Sequence, residues 1–410
     1  MSVLAVLLVA LMANAPAASG SGPYAGHCSA LWPGDPKDPG CWAFDWQFTF
    51  HPVTTSSPTV GDSSGGLHIN GSWHFFYSCD GGWCHLETED LVNYVSHGIV
   101  VPKQSSSYPH PLGLGTGSVT AAADGSGDIL AYCNNLGGHM RSNDGMRTWT
   151  AFATTTTGSP GGRDQARPLQ SSDGTWYQMM GCSATHAENG AGVCRFKAND
   201  DTLANWTFDG NLFESNATWS AMGANWISFY EVPDFFPLTN SNGVTKHVLV
   251  TDPWGNGGPG GGGYHVHNVE WRSGTWSADG SSFSVEKTGV LDYGWWYAAR
   301  SITTVANKGS DRRLMSGNIG TDVTRGAASV EGSVPGAGGI RMFTSLPREI
   351  SLAADGSTVH VKPPIELSDG LRSGPAKTKT LPSFACGQHT SLGVSIMLAL
   401  DMPLSHRACP

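Results

Sequence analysis

Charge is scarce in this chain: Asp, Glu, Lys and Arg make up only 14% of its 410 residues. The formal net charge is -10 and no basic block occurs, so attraction to nucleic acid or anionic lipid is excluded as a working principle. Beyond the N-terminus, no segment reaches the ~18–20 consecutive apolar residues that a membrane-spanning helix needs. The glycine-rich run 255–263 lacks the Gly-Lys-Ser/Thr of a phosphate loop and reads as a surface loop. Ser118 has no Gly-x-Ser-x-Gly elbow around it, which argues against a serine hydrolase. Cys79 and Cys84 have no second Cys/His pair at zinc-finger spacing. His265 and His267 alternate along a strand without a third ligand at suitable spacing, so they read as a polar strand face. No metal or organic cofactor is expected.

What the chain does have is 54 glycines and 15 tryptophans. Little charge with much Gly and Trp suits short strands joined by tight turns, not long helices. A unit recurs five times: a polar residue on a short strand, a turn, then a strongly apolar strand. The units begin at Gly61, Gly115, Gly161, Tyr230 and Leu291, and four of their turns carry Asn-Gly or Asp-Gly. Their polar residues recur about every 46 to 67 residues, the length of a four-stranded blade with its loops. The fold expected is all-β, a five-bladed β-propeller spanning residues 45–370. In a propeller the first strand of each blade lines the central axis. The polar residues opening the units are Asp62, Ser118, Asp164, Glu231 and Asp292. Four carboxylates at matching places are therefore expected to converge, and glycoside hydrolysis needs two carboxylates facing each other across the scissile bond. A lone Asp in such a turn would more often cap that turn.

The N-terminus reads as an export signal over residues 1–20. Val3 to Met12 is apolar and Ala15-Pro16-Ala17 supplies small residues for cleavage, although the leading residues lack Lys and Arg. Residues 21–44 form an N-terminal extension. Sequons at Asn70, Asn205 and Asn216 and nine cysteines fit the same extracellular destination. Pairing neighbours gives Cys28–Cys41, Cys79–Cys84, Cys182–Cys194 and Cys386–Cys409, with Cys133 left over; sequence alone leaves other connectivities open.

Several segments, in order, resemble the β-fructosidases, the invertase, inulinase and levanase group of glycoside hydrolase family 32. Trp83-Cys84-His85-Leu86-Glu87-Thr88-Glu89-Asp90-Leu91-Val92-Asn93-Tyr94 resembles the family's Trp-Gly-His-x-x-Ser-x-Asp-Leu-Val-x-Trp. Arg163-Asp164 resembles Arg-Asp-Pro, and Glu231-Val232-Pro233-Asp234 resembles Glu-Cys-Pro-Asp. Asp292-Tyr293-Gly294 with Tyr297-Ala298, and Pro347-Arg348-Glu349, resemble the segments around and after the last blade.

The resemblance implies Asp62 as nucleophile, Glu231 as general acid and base, and Asp164 as transition-state stabiliser kept ionised by Arg163. It also implies that Gly61, Gly115, Thr116, Ser118, Arg163, Asp234, Asp292 and Trp295 bind substrate, a small carbohydrate or fructan, with Trp295 and Trp296 as a stacking platform. The chemistry would be double displacement with retention, the two carboxylates about 5–5.5 Å apart. Departures are visible too. Pro58-Thr59-Val60-Gly61 stands where the family has Trp-Met-Asn before the nucleophile, and Val232 replaces the cysteine after the acid/base. The family carries a C-terminal β-sandwich; residues 371–410 are Ser/Thr/Pro-rich, then apolar, and receive no domain, so a sandwich is expected to be absent or truncated. Two other readings stand beside this one. One is an inverting arabinan- or xylan-directed enzyme with Asp62 as base and Asp164 as pKa modulator. The other is a non-catalytic carbohydrate-binding propeller.

Overall fold

The computed structural model describes residues 60–79, 82–102, 116–133, 138–152, 155–158, 162–183, 191–214, 227, 229–256, 263–265, 269–292, 296–320 and 342–370. The expected signal, the N-terminal extension and the C-terminal tail lie outside them. Most described strands fall into five consecutive antiparallel meanders, while Thr155–Thr157 adds in parallel to Asn205–Glu214. The first comprises Val60–Ile69, Ser72–Cys79, Gly82–Thr88 and Val95–Pro102, and the second Ser118–Ala121, Ile129–Cys133, Gly138–Ser142 and Thr150–Phe152. In the third, the short first strands Gly162–Arg163 and Leu169–Gln170 both pair with Trp176–Ser183, followed by Ala191–Ala198 and Asn205–Glu214. The fourth runs Phe229–Thr239, Thr245–Asn256, Glu270–Trp276 and Phe283–Val290; the fifth runs Trp296–Thr304, Arg313–Gly320, Arg348–Leu352 and Val359–Lys362. A short helix, Ile365–Gly370, follows. Local chemistry sets the hairpins: at Asn70-Gly71 both residues take positive φ, 53° and 85°, which a two-residue turn with the correct twist requires.

Apolar packing closes the meanders into a ring. The five buried clusters each draw on two neighbouring meanders. Leu67, Trp83 and Val119 join the first to the second, and Leu130, Tyr132 and Trp206 the second to the third. Met179, Phe213 and Tyr230 join the third to the fourth, and Phe236, Trp271 and Ile350 the fourth to the fifth. Phe75, Leu86 and Ile302 join the fifth back to the first. That last junction also has backbone bonding, because Gly66, Leu67 and His68 pair in parallel with Ile302, Thr303 and Thr304. No meander could bury both of its faces alone, so each depends on its neighbours on either side. The fold is a β-propeller.

The first strands of three meanders are bulged in the same manner. Ser63 to Gly66 faces Tyr77 to Phe75, Glu231 to Asp234 faces Asp252 to Val250, and Tyr297 to Arg300 faces Asn318 to Ser316. One extra residue in each bends the strand and re-aims the side chains beside it. Two of the four pairings expected of the cysteines occur among the described residues, Cys79–Cys84 and Cys182–Cys194, and Cys133 is a buried free thiol.

Burial of imidazoles makes the fold acid-sensitive. His247 lies against Phe235 and Trp276, and burial lowers its pKa to about 4. The unfolded chain takes up a proton there near pH 6.5 and the folded chain does not, so stability is lost as pH falls below that value. Substitution His247→Phe is expected to reduce this loss by at most about 1.4 kcal/mol per pH unit between about 6.5 and 4. Urea unfolding at a series of pH values checks it, and an unchanged pH dependence would mean that His247 is charged in the fold.

Candidate active site

The site begins with the bulges. Glu231 precedes Val232, and Tyr297 precedes Ala298; both following residues hold positive φ, 46° and 51°. Asp164 itself holds φ 62°, immediately after the two-residue strand Gly162–Arg163. These are costly conformations for residues other than glycine, about 1–3 kcal/mol each, and a β-branched valine is the worst suited. Here they bring side chains from separate meanders together.

Glu231 is buried, with 4% of its surface exposed. The Tyr297 hydroxyl donates to its Oε2 and the Arg163 guanidinium meets its Oε1. Asp164 is also buried; its Oδ2 accepts the Val232 amide at 3.1 Å, and the Arg163 Nε is 3.7 Å away. The residue after Glu231 therefore acts on Asp164 through its backbone. Asp62, half-buried, accepts from the Thr116 hydroxyl and, at 3.1 Å, from Asn318 Nδ2. The Tyr297 hydroxyl bonded to Glu231 also feels the other acids: burial raises its pKa well above the usual tyrosine value, and the charges of Asp62, Asp252 and Asp164 raise it further. Arg300 is enclosed completely and donates to the carbonyl oxygens of Pro233 and, at 2.7 Å, of Asp164.

Several expectations change. Arg163 does favour the ionised form of Asp164, together with Arg300 and the Val232 amide, but burial is the larger effect and raises the carboxyl's pKa. Asp234 is buried with its Oδ2 on the Ser301 amide at 2.7 Å, a brace between the fourth and fifth meanders. Asp292 is not on an innermost strand. It precedes Trp296–Thr304 and pairs with Arg348, whose guanidinium lies 4.2 Å over the Trp296 ring. Trp296 is core, not platform: it is 1% exposed and its indole N–H donates to Ser345. Ser118 is buried on its strand, with no hydrogen-bond partner for its hydroxyl among the described residues. Gly61 lies on the Asp62 strand, while Gly115 and Trp295 fall outside the described residues.

Sequence reasoning gave no role to Asp252, Arg300 or Asn318. Asp252 sits directly opposite Glu231 in the ladder, buried, with the backbone amides of Ala298 and Ala299 on the fifth meander beside its carboxyl. Its one visible signal is a carboxylate ending the apolar run Val248-Leu249-Val250-Thr251. Burial, then the charge of Asp62, raises its pKa well above the usual carboxylate range.

A propeller that gathers carboxylates from several meanders at one end of its innermost strands has the layout of a glycosidase. The chain belongs to glycosyl hydrolases family 32: residues 53–363 match the model of the family's N-terminal domain. A fructan 1-exohydrolase of Leymus chinensis is 26% identical over 275 residues, 61% of this chain and 43% of that protein. A levanbiose-producing levanase of Bacillus subtilis is 23% identical over 300 residues, 65% of this chain and 51% of that one. The chain thus spans about half the length of these relatives. Among solved structures, a β-fructofuranosidase of Aspergillus kawachii aligns with TM-score 0.61 at 18% identity, covering 80% of this chain and 66% of that one. Fructan 1-exohydrolase IIa of Cichorium intybus aligns with TM-score 0.58 at 18% identity, covering 78% and 61%. These two likenesses establish the fold.

Asp252 gives a stability test. Above about pH 4 the unfolded chain has lost this proton while the folded chain keeps it, so this group costs stability as pH rises. Asp252→Asn removes that cost. The variant is expected to gain on the parent as pH rises above about 4, by at most about 1.4 kcal/mol per pH unit. Urea unfolding across that range measures it; parallel curves would show Asp252 ionised in the fold.

Proposed function

We propose that the protein is a secreted, retaining glycosidase that cleaves terminal β-D-fructofuranosides such as sucrose or fructans. The observation that carries this reading is the grouping of carboxyls from three meanders: Arg163 meets both Asp164 and Glu231, Tyr297 donates to Glu231, and the charge of Asp62 reaches Tyr297. Asp62, held by Thr116 and Asn318, attacks the anomeric carbon of the fructosyl unit. Glu231, oriented by Tyr297, gives a proton to the departing sugar oxygen, then takes one from water as the fructosyl-enzyme is hydrolysed. Asp164 accepts hydrogen bonds from fructosyl hydroxyls; its fixed position beside Val232 and Arg163 stabilises developing oxocarbenium character. Proteins of similar fold support the substrate class. Their structures include a Cichorium intybus fructan 1-exohydrolase with 1-kestose, a Bombyx mori β-fructofuranosidase with sucrose, and a Schwanniomyces occidentalis fructofuranosidase with fructosylnystose. Export is supported by the apolar N-terminal run and by two disulfides, which persist in oxidising compartments.

Incubation with sucrose, inulin, levan and arabinan, with the products followed by NMR, tests the proposal. Release of fructose with retained β-configuration is expected; inversion, or release of arabinose only, would overturn it. Asp62→Asn and Glu231→Gln are each expected to lower kcat roughly 10²–10⁴-fold. Their thermal unfolding should stay near that of the parent, because each change removes a chemical role and little volume. Full activity in the Asp62 variant would remove it as nucleophile.

A further inference from the structure

The two disulfides occupy matching places relative to the two candidate aspartates. In the first meander Cys79 lies opposite Val60, two residues before Asp62. In the third, Cys182 lies opposite Gly162, two residues before Asp164. Each bond then crosses diagonally from the second strand to the third. Cys84 faces Tyr77, two residues before Cys79, and Cys194 faces Met180, two residues before Cys182.

Each bond also abuts a junction where backbone touches a neighbouring meander. Trp83, inside the Cys79–Cys84 loop, packs its ring so tightly on Gly117 that a Cβ there would lie 2.8 Å from it. Gly117 follows Thr116, the residue that donates to Asp62. Gly181, beside Cys182, faces Arg163 and lies against the Tyr230 carbonyl, where a Cβ would come within 2.0 Å. Tyr230 precedes Glu231. One bond thus borders the support of Asp62, and the other borders the supports of both Asp164 and Glu231.

We propose that Cys79–Cys84 and Cys182–Cys194 are positioning bonds for the catalytic carboxylates, fixing the strand ends that aim them; this rests on the catalytic roles proposed above. Of the four sulfurs only that of Cys79 belongs to a residue that is not fully buried, so the first bond is the one open to a reductant. A dithiol attacks Cys79 Sγ, Cys84 leaves as a thiolate and takes a proton, and the second thiol releases Cys79 as the reagent closes into its own cyclic disulfide. Two electrons and two protons pass to the protein. The buried Cys133 thiol, whose pKa burial pushes up, stays out of the exchange.

The test treats the full chain with dithiothreitol and compares it with the Cys79→Ser/Cys84→Ser and Cys182→Ala/Cys194→Ala double variants. Two readouts are taken on protein that keeps its far-ultraviolet dichroism. The first is kcat and KM on the best fructoside. Here kcat is expected to fall about tenfold or more with KM changed much less, because small misplacements of reacting groups act on the transition state. The second is amide hydrogen exchange. Protection is expected to fall in 60–66 and 116–120 when the first bond is absent, and in 162–167 and 229–234 when the second is absent, with 283–290 unchanged. Unaltered kcat and unaltered exchange in these segments, with only a lower unfolding temperature, would overturn the proposal and leave the bonds as plain staples. If the oxidised protein turns over no fructoside, the functional reading fails and the exchange data alone decide this one. A double variant that does not fold leaves the dithiothreitol arm to decide for the first bond and the exchange pattern of 60–66 to decide with it.

Discussion

One buried guanidinium holds the centre of the molecule together. Arg300, on the fifth meander, reaches the carbonyl of Asp164 on the third and of Pro233 on the fourth. Both carbonyls belong to or adjoin residues with left-handed backbone, whose polar groups a regular ladder would not satisfy. Burial depresses the arginine's own proton affinity, and Asp234, Asp164, Asp252 and Asp62 offset only part of that. The cation is tolerated because acids surround it, and the acids can crowd together because it is there. Removing one side of such an arrangement costs about 3–5 kcal/mol in other proteins, since a charge is left buried and alone.

That balance explains why the axial acids differ in character. Asp62 has polar neighbours that donate to it and remains partly open to water. Asp252 is fully enclosed; the Ala298 and Ala299 amides favour its anion, but burial and the charge of Asp62 outweigh them and raise its pKa. Two carboxyls near each other are thus divided in their surroundings, and Asp252 is the one shifted toward its neutral form. The division comes from enclosure and donors, not from residue type.

Much of the ring was legible in the chain because its signals are local. Asn70-Gly71 marks a hairpin by its own conformational preference, and the five polar-turn-apolar units announce five meanders. The proximity of Cys79 to Cys84 and of Cys182 to Cys194 allowed two bonds to be anticipated. Asp62, Asp164 and Glu231 stood out because they open their units. What could not be read depends on register between distant strands. Asp252 matters because it lies opposite Glu231, and Arg300 because a bulge turns it toward two other meanders. Asp292 was misplaced for the same reason: its unit's first strand begins four residues later, at Trp296, so the matching position in the repeat is not the matching position in space. Nor does Val232 advertise its left-handed backbone, since valine is among the residues least inclined to adopt it.

The seam between the first and fifth meanders has a consequence for how the molecule comes into being. Asp62 and its partner Asn318 are 256 positions apart in the chain, and the strands bearing them, separated in the sheet by Trp296–Thr304, come together only when the ring shuts. Contacts so remote in sequence form late, because a large loop entropy must be lost before they return any stabilisation. On the ribosome, the early meanders would emerge with their outer faces packed but their axial acids unmatched, waiting for Arg300 and Asn318 to be synthesised. Assembly of the centre is thereby tied to the fifth meander, the last of the ring in chain order.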